Sequence, residues 1–109
     1  MKASEVLTLA KAIISKPDRW ARGAFSLDGD NVYISPYDAN PETCSFCAIG
    51  AIKNVTAGLG HSAEDNARAI LDSVVPDRLG VPYWNDTRSH AEVLRLFDMG
   101  IAEAVRLGQ

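Results

Sequence analysis

One stretch, Asn40 to Val55, constrains this chain more than any other, because its side-chain sizes dictate what can lie beside it. Asn40 is a good N-cap, and Pro41 suits the first helical position, where its missing N–H costs nothing. A helix running from there puts Cys47, Gly50, Ala51 and Asn54 on one narrow face at i, i+3, i+4, i+7 spacing. That face carries almost no side-chain bulk, so a neighbouring segment can approach the helix backbone closely. Phe46, Ile49, Ile52 and Val55 point elsewhere and are expected to fill a core.

The rest of the chain supplies elements to pack around it. Ser4 to Ser15 shows helical spacing in Val6, Leu7, Leu9, Ala10, Ile13 and Ile14, and Pro17 stops it. Residues 24–27 and 31–34 alternate about the turn-forming Asp28-Gly29-Asp30, which predicts a short hairpin with Phe25, Leu27, Val32 and Ile34 inward. Gly58 or Gly60 is the expected left-handed end of the central helix. Ser62 is the expected N-cap of a third helix with Ala67, Ile70, Leu71 and Val74 as its stripe. Asp77 to Trp84, with Gly80 and Pro82, reads as an ordered loop. Ser89-His90-Ala91-Glu92 is a capping box that opens the last helix. The expected architecture is α+β and mostly α: about four helices and a small β-hairpin packed on a central helix, in a single domain over residues 1–109.

Composition fits that size and class. The chain has 109 residues, 47% hydrophobic and 23% charged, with a net charge of −3. A domain of this length buries roughly two-thirds of its unfolded surface, enough for one core. The net negative charge argues against non-specific nucleic-acid binding, which rests on phosphate neutralisation. The charge is uneven: Lys2, Lys11, Lys16, Arg19 and Arg22 face only Glu5 and Asp18 in the first 22 residues. A solvated helix face explains that bias without a partner. No apolar run suits a membrane span, and the start of the chain is periodic where an export signal would be continuous. With two cysteines and no such signal, a cytoplasmic location is expected.

Four groups of residues carry candidate chemistry. Cys44-x-x-Cys47 at a helix start is an arrangement that lowers a thiol pKa, but redox use needs a preceding strand in a β-α-β setting, and the residues before Cys44 read as a loop. Cys44, Cys47, His61 and His90 are zinc-type ligands at gaps that fit no compact finger, so neither a metal nor any other cofactor is expected. Cys47 is the candidate nucleophile, with His90 as its base and Asn85 or Asp86 to orient that base. The simpler expectation is that Cys47 is a small buried hydrophobe. Trp84, Asn85 and Asp86 are the candidate ligand-binding residues, since an indole beside an amide and a carboxylate can line a polar pocket. The structural alternative is a turn in which Asn85 and Asp86 bind local backbone N–H groups while Trp84 plugs the core.

Phe46-Cys47-Ala48-Ile49-Gly50-Ala51, then Trp84-Asn85-Asp86, then Ser89-x-x-Glu92-Val93, resemble a family of small uncharacterised bacterial and phage proteins. Its members carry an aromatic-Cys-Ala-x-Gly-Ala helix and a Trp-Asn-Asp element before a C-terminal helix. The resemblance covers most of the chain and implies no activity, substrate or cofactor, because the family is a domain of unknown function. Cys47, Gly50, Ala51, Trp84, Asn85 and Asp86 match its pattern; Cys44, His61 and His90 do not belong to it, and Phe46 stands where Trp is usual. The resemblance also implies that the thin helix face and the Trp-Asn-Asp element meet in space. The expected function is a non-enzymatic accessory or interaction domain, of phage or mobile-element origin as the resemblance implies. The alternative is a small enzyme or small-ligand binder using a pocket around Cys47 and Trp84-Asn85-Asp86. The partner is then a protein or a small ligand, and a homo-oligomer is compatible with either.

Overall fold

The computed structural model describes residues 1–109. Five helices dominate it: α1 (Ala3–Ile13), α2 (Ala48–Val55), α3 (His61–Ser73), α4 (Val81–Thr87) and α5 (His90–Arg106). A 3-10 turn covers Pro17–Arg19, and two short strands, β1 (Ser26–Leu27) and β2 (Ser45–Phe46), pair antiparallel with Ser26 opposite Phe46 and Leu27 opposite Ser45. The helix count is one more than expected. The additional helix is α4, which occupies residues expected to form a loop and carries Trp84, Asn85 and Asp86.

The outer helices form as their patterns require. Val6, Leu7 and Ala10 of α1 are buried, and so are Val93, Leu96, Phe97 and Ala104 of α5; Leu9, expected in the α1 stripe, lies off the buried face and is exposed. Ser89 caps α5: its hydroxyl accepts from Glu92 N–H while the Glu92 carboxylate accepts from Ser89 N–H. α1 packs on α5, α2 and α3, and α2 packs on α1, α3 and α4, so the two share the centre. Helix α3 begins at His61 with Gly60 at its N-cap, two residues before the expected N-cap Ser62.

The central helix is shorter than expected. Asn40 does begin a turn, for its side chain accepts from Glu42 N–H and its carbonyl accepts from Thr43 and Cys44 N–H. That turn is not continued. Ser45 and Phe46 extend to pair with β1, and the helix restarts with Cys47 as its N-cap. Phe46 is fully buried, so its anchoring in the core is bound up with the strand pairing.

The expected hairpin also changes partner. Asp28 still makes the turn, with its carboxylate accepting from Asp30 and Val32 N–H. However, only a single bridge, Leu27 with Tyr33, joins the two arms, and the ladder partner of β1 is β2. The inward residue is then Ser26, fully buried and donating its hydroxyl to the Ile34 carbonyl. Phe25, Val32 and Tyr33 are exposed where Phe25 and Val32 were expected to point inward.

The small-residue strip behaves as its sizes demand. A β-carbon on Gly50 would stand 2.6 Å from the Phe25 carbonyl carbon and 3.1 Å from its Cα, and closer still to the carbonyl oxygen. Backbone of the 23–25 segment therefore lies directly on α2. Further along the strip, the Asn54 amide donates to the carbonyls of Pro36 and Ala39, at 2.9 and 2.7 Å. The loop from residue 23 to 39 is thus laid along the thin face at both ends.

A charged cluster ties the far side of the same loop down. Glu64, buried on α3, accepts from Tyr37 Oη at 2.6 Å and from Lys53 Nζ at 2.9 Å, with Arg68 at 3.4 Å. Burial alone would raise the Glu64 pKa; the bonds from Tyr37 and Lys53 outweigh it and hold the carboxyl below its ordinary range. Burial likewise works against the Lys53 charge, and its bonds to Glu64 and Tyr37 overcome that and raise its pKa.

Candidate functional site

Where α2 begins, three separated parts of the chain converge on Asn85. Its Oδ1 accepts from the Trp20 indole N–H at 2.8 Å and from Ala48 N–H at 3.0 Å. Its Nδ2 donates to the Ala21 carbonyl at 3.0 Å and to Asp86 Oδ1 at 3.1 Å. Two donors face one end of the amide and two acceptors face the other, so its orientation is unambiguous. With every hydrogen-bonding position filled and 1% of its surface exposed, Asn85 is a structural clasp. It serves as a second cap for α2, satisfying an N–H that the helix cannot satisfy itself.

Cys47 supplies the other cap. Its Sγ accepts from Gly50 N–H at 3.3 Å, and its own N–H donates to the Phe25 carbonyl at 3.2 Å. Burial pushes the thiol pKa up, and the negative charge of Asp86 adds to that, against the opposing pull of the Gly50 and Ile49 N–H groups. The thiol therefore stays protonated at neutral pH. A helix N-terminus is usually a thiolate-stabilising place, but desolvation wins at this one.

Asp86 lies one residue further along α4 and is exposed. Its Oδ1 accepts from Gly23 N–H at 3.0 Å as well as from Asn85. Gly23 has φ +77°, a left-handed conformation that suits glycine and turns its N–H toward the carboxylate.

Between these elements lies a cleft of about 390 Å³. Cys47 and Ile49 from α2, Pro82, Asn85 and Asp86 from α4, and Phe25 with Tyr33 from the overlying loop form its walls. Phe25 and Tyr33 are 41% and 60% exposed, so the aromatic side of the cleft is open to water. The volume falls within the range of small-ligand sites, roughly 300–1,000 Å³.

Of the candidates named from sequence, Cys47, Asn85 and Asp86 come together at this cleft and Trp84 does not. Trp84 faces α5, where its indole N–H points to the Glu92 carbonyl at 3.4 Å and the Arg88 guanidinium lies 4.6 Å from its ring. The indole that meets Asn85 belongs to Trp20. His90 is no base for Cys47: its Nε2 is bonded to the Ile14 carbonyl and its ring lies against Trp20, centroids 5.2 Å apart. His61 is exposed at the start of α3, and both cysteines are free and buried. No three His, Cys, Asp or Glu side chains gather as a metal site would require. Asn85 and Asp86 do bind backbone N–H groups, as the structural alternative held, but those groups are Ala48 and Gly23, remote in sequence. Phe25, Tyr33 and Pro82 are the cleft residues that sequence patterns missed. The only available signal was the pair of aromatics flanking a turn, and those were read as hairpin residues.

Residues 1–103 match the family of unknown function DUF6197. The chain belongs to that family. No curated protein and no solved structure matches the chain, so membership of DUF6197 brings a shared fold and no assigned function. Nor is any helix long and apolar enough to cross a membrane.

Proposed function

We propose that this DUF6197 protein is a non-enzymatic recognition domain whose ligand sits in the cleft between the 23–25 segment, the start of α2 and α4. One observation carries the proposal: the cleft is open and mixed in character, yet its reactive-looking groups are committed to the fold. The Cys47 thiol is raised in pKa and is engaged with Gly50 N–H. The Asn85 amide is saturated, and the nearby His90 is bonded to the backbone of residue 14. Nucleophilic catalysis requires a deprotonated thiol or an adjacent base, and neither is supported at this cleft. What the cleft does offer is apolar and aromatic wall with one accessible carboxylate, which suits binding.

The test is an amide-resolved NMR screen of the intact protein against a library of small organic fragments. Binding fragments are expected to move the resonances of Gly23, Phe25, Tyr33 and Asp86 together. A screen in which no fragment perturbs that group would sink the recognition reading. Turnover of any chromogenic ester or disulfide substrate that is abolished by Cys47→Ser would sink its non-enzymatic part.

A further inference from the structure

We propose that the cleft takes an alkylammonium group, with its charge against the Asp86 carboxylate and its apolar stem between Phe25 and Tyr33. This rests on the recognition reading above and names the ligand class. Asp86 has no cationic partner: it takes part in no ion pair, and no lysine, arginine or histidine lines the cleft. Both protein bonds to its carboxylate end on Oδ1, from Gly23 N–H and the Asn85 amide, and Oδ2 accepts none. Two donors thus hold the carboxylate in place at the mouth of the cleft while one oxygen stays available. A fixed, unpaired carboxylate next to aromatic surface suits an organic cation, combining a charge-assisted hydrogen bond to its head with apolar contact along its stem.

The opposite sign of ligand is disfavoured at the same place. An anion would be drawn to free N–H groups at the start of α2, but Ala48 N–H and Gly50 N–H are already bonded to Asn85 and Cys47. The Asp86 charge would repel it as well. Lys53 lies 5.2 Å from the Phe25 ring, and Glu64 compensates its charge at 2.9 Å. Arg22 is turned to the Arg88 carbonyl and the Trp20 ring, and Arg88 is paired with Asp77, so none of the three forms an ion pair with Asp86.

The experiment titrates the full chain, at low and high sodium chloride, with n-hexylammonium chloride and with 1-hexanol as its neutral counterpart. Nα-acetyl-lysine methylamide and Nα-acetyl-norleucine methylamide form a second pair, which separates a free amine from a peptide side chain as the source. Amide shifts at Gly23, Phe25 and Asp86 report binding. The expected result is that at least one ammonium probe binds about tenfold or more tightly than its neutral partner, the gain expected of a charge-assisted contact. That preference should shrink at high salt, because the carboxylate is exposed. Asp86→Asn should abolish the preference, since its amide oxygen can still accept from Gly23 N–H but carries no charge. If that variant fails to fold, Tyr33→Ala, at an exposed ring, should weaken both members of a pair alike while the salt effect on the ammonium probe persists. Equal binding of ammonium and neutral probes in the cleft overturns the cation assignment and leaves the recognition reading standing. Absence of shifts at the cleft with every probe likewise overturns the cation assignment, and the recognition reading falls only if the fragment screen is silent as well.

Discussion

Replacing Gly50 by alanine probes the close approach on which the site is built. A β-carbon at this position has no space: it would overlap the Phe25 carbonyl group, which is backbone and cannot swing aside. The 23–25 segment would have to lift. Lifting it breaks the bond from Cys47 N–H to the Phe25 carbonyl, leaving a buried donor unpaired at a cost of about 1–3 kcal/mol. Forcing extra volume into packed surroundings adds about 1–3 kcal/mol. Against this, alanine is the better helix former by at most about 1 kcal/mol. The net expectation is a loss of about 1–5 kcal/mol, which for a domain of this size lowers Tm by about 4–20 °C.

Two other glycines serve as internal controls. At Gly100 a β-carbon would meet the ends of flexible side chains, Leu71 Cδ1 at 2.8 Å and Leu7 Cδ1 at 3.4 Å, so the neighbours can shift. At Gly29 nothing lies within 4 Å. The stability loss should therefore rank Gly50→Ala above Gly100→Ala above Gly29→Ala, the last staying within about 0.5 kcal/mol of wild type, as surface substitutions usually do. Urea denaturation followed by tryptophan fluorescence measures all three. If Gly50→Ala is as stable as Gly29→Ala, the backbone of Phe25 does not rest on α2 and the cleft geometry is wrong.

The clasp, the charged cluster and the buried thiol each carry an expected outcome. Asn85→Ala strands Ala48 N–H, the Trp20 indole N–H and the Ala21 carbonyl; at about 1–3 kcal/mol each, with some reached by cleft water, the loss in denaturation should be about 3–5 kcal/mol. A loss under about 1 kcal/mol would show that these groups rehydrate freely and that Asn85 is no clasp. Glu64 titrates below its ordinary value of 4.5 when folded, so it contributes stability above that pH and loses it as pH falls through the lower folded value. Thermal melts of wild type should therefore fall more steeply on acidification below about pH 4.5 than those of Glu64→Gln, and parallel curves would refute the linkage. Lys53, raised above 10.5, contributes up to that pH and loses its contribution on further alkalinisation, a loss Glu64→Gln should also remove. The Cys47 thiol should react with iodoacetamide at least about tenfold more slowly than in urea, because burial suppresses the thiolate. Cys47→Ser, a better N-cap, should hold stability within about 1 kcal/mol.

What could be read from the amino-acid pattern was whatever depends on neighbours in sequence. The stripe of α1, the capping box at Ser89 and the Asp28 turn each rest on residues within four positions, and each is present. Helix α4 was illegible for the opposite reason. Its seven residues include Pro82 and several poor helix formers, and its first N–H is satisfied by Asp72 of α3 at 3.0 Å. No local signal reports a cap delivered from another helix. The inversion of Phe25 and Ser26 has a similar origin: Ser26 is paired with Phe46, and the Phe25 carbonyl is drawn onto Gly50, so long-range contacts set which residue faces in.

Cys47, Gly50, Trp84 and Asn85, singled out from the sequence, are spent on contacts within the fold. Gly50 admits the Phe25 backbone, Cys47 and Asn85 cap α2, and Trp84 packs against α5. Each is consumed by the fold, so a motif built from them specifies an architecture and leaves the ligand open. Asp86 is the exception: it holds Gly23 with one oxygen and keeps the other free at an open cleft. The remaining exposed walls, Phe25 and Tyr33, sit on a loop that is anchored at Gly50, Asn54 and Glu64 but not at its aromatic tips. Substitutions at those tips can change what the cleft accepts without disturbing the clasp beneath it. Under the proposed recognition role, specificity would belong to Phe25 and Tyr33 and charge preference to Asp86, while Asn85 serves stability.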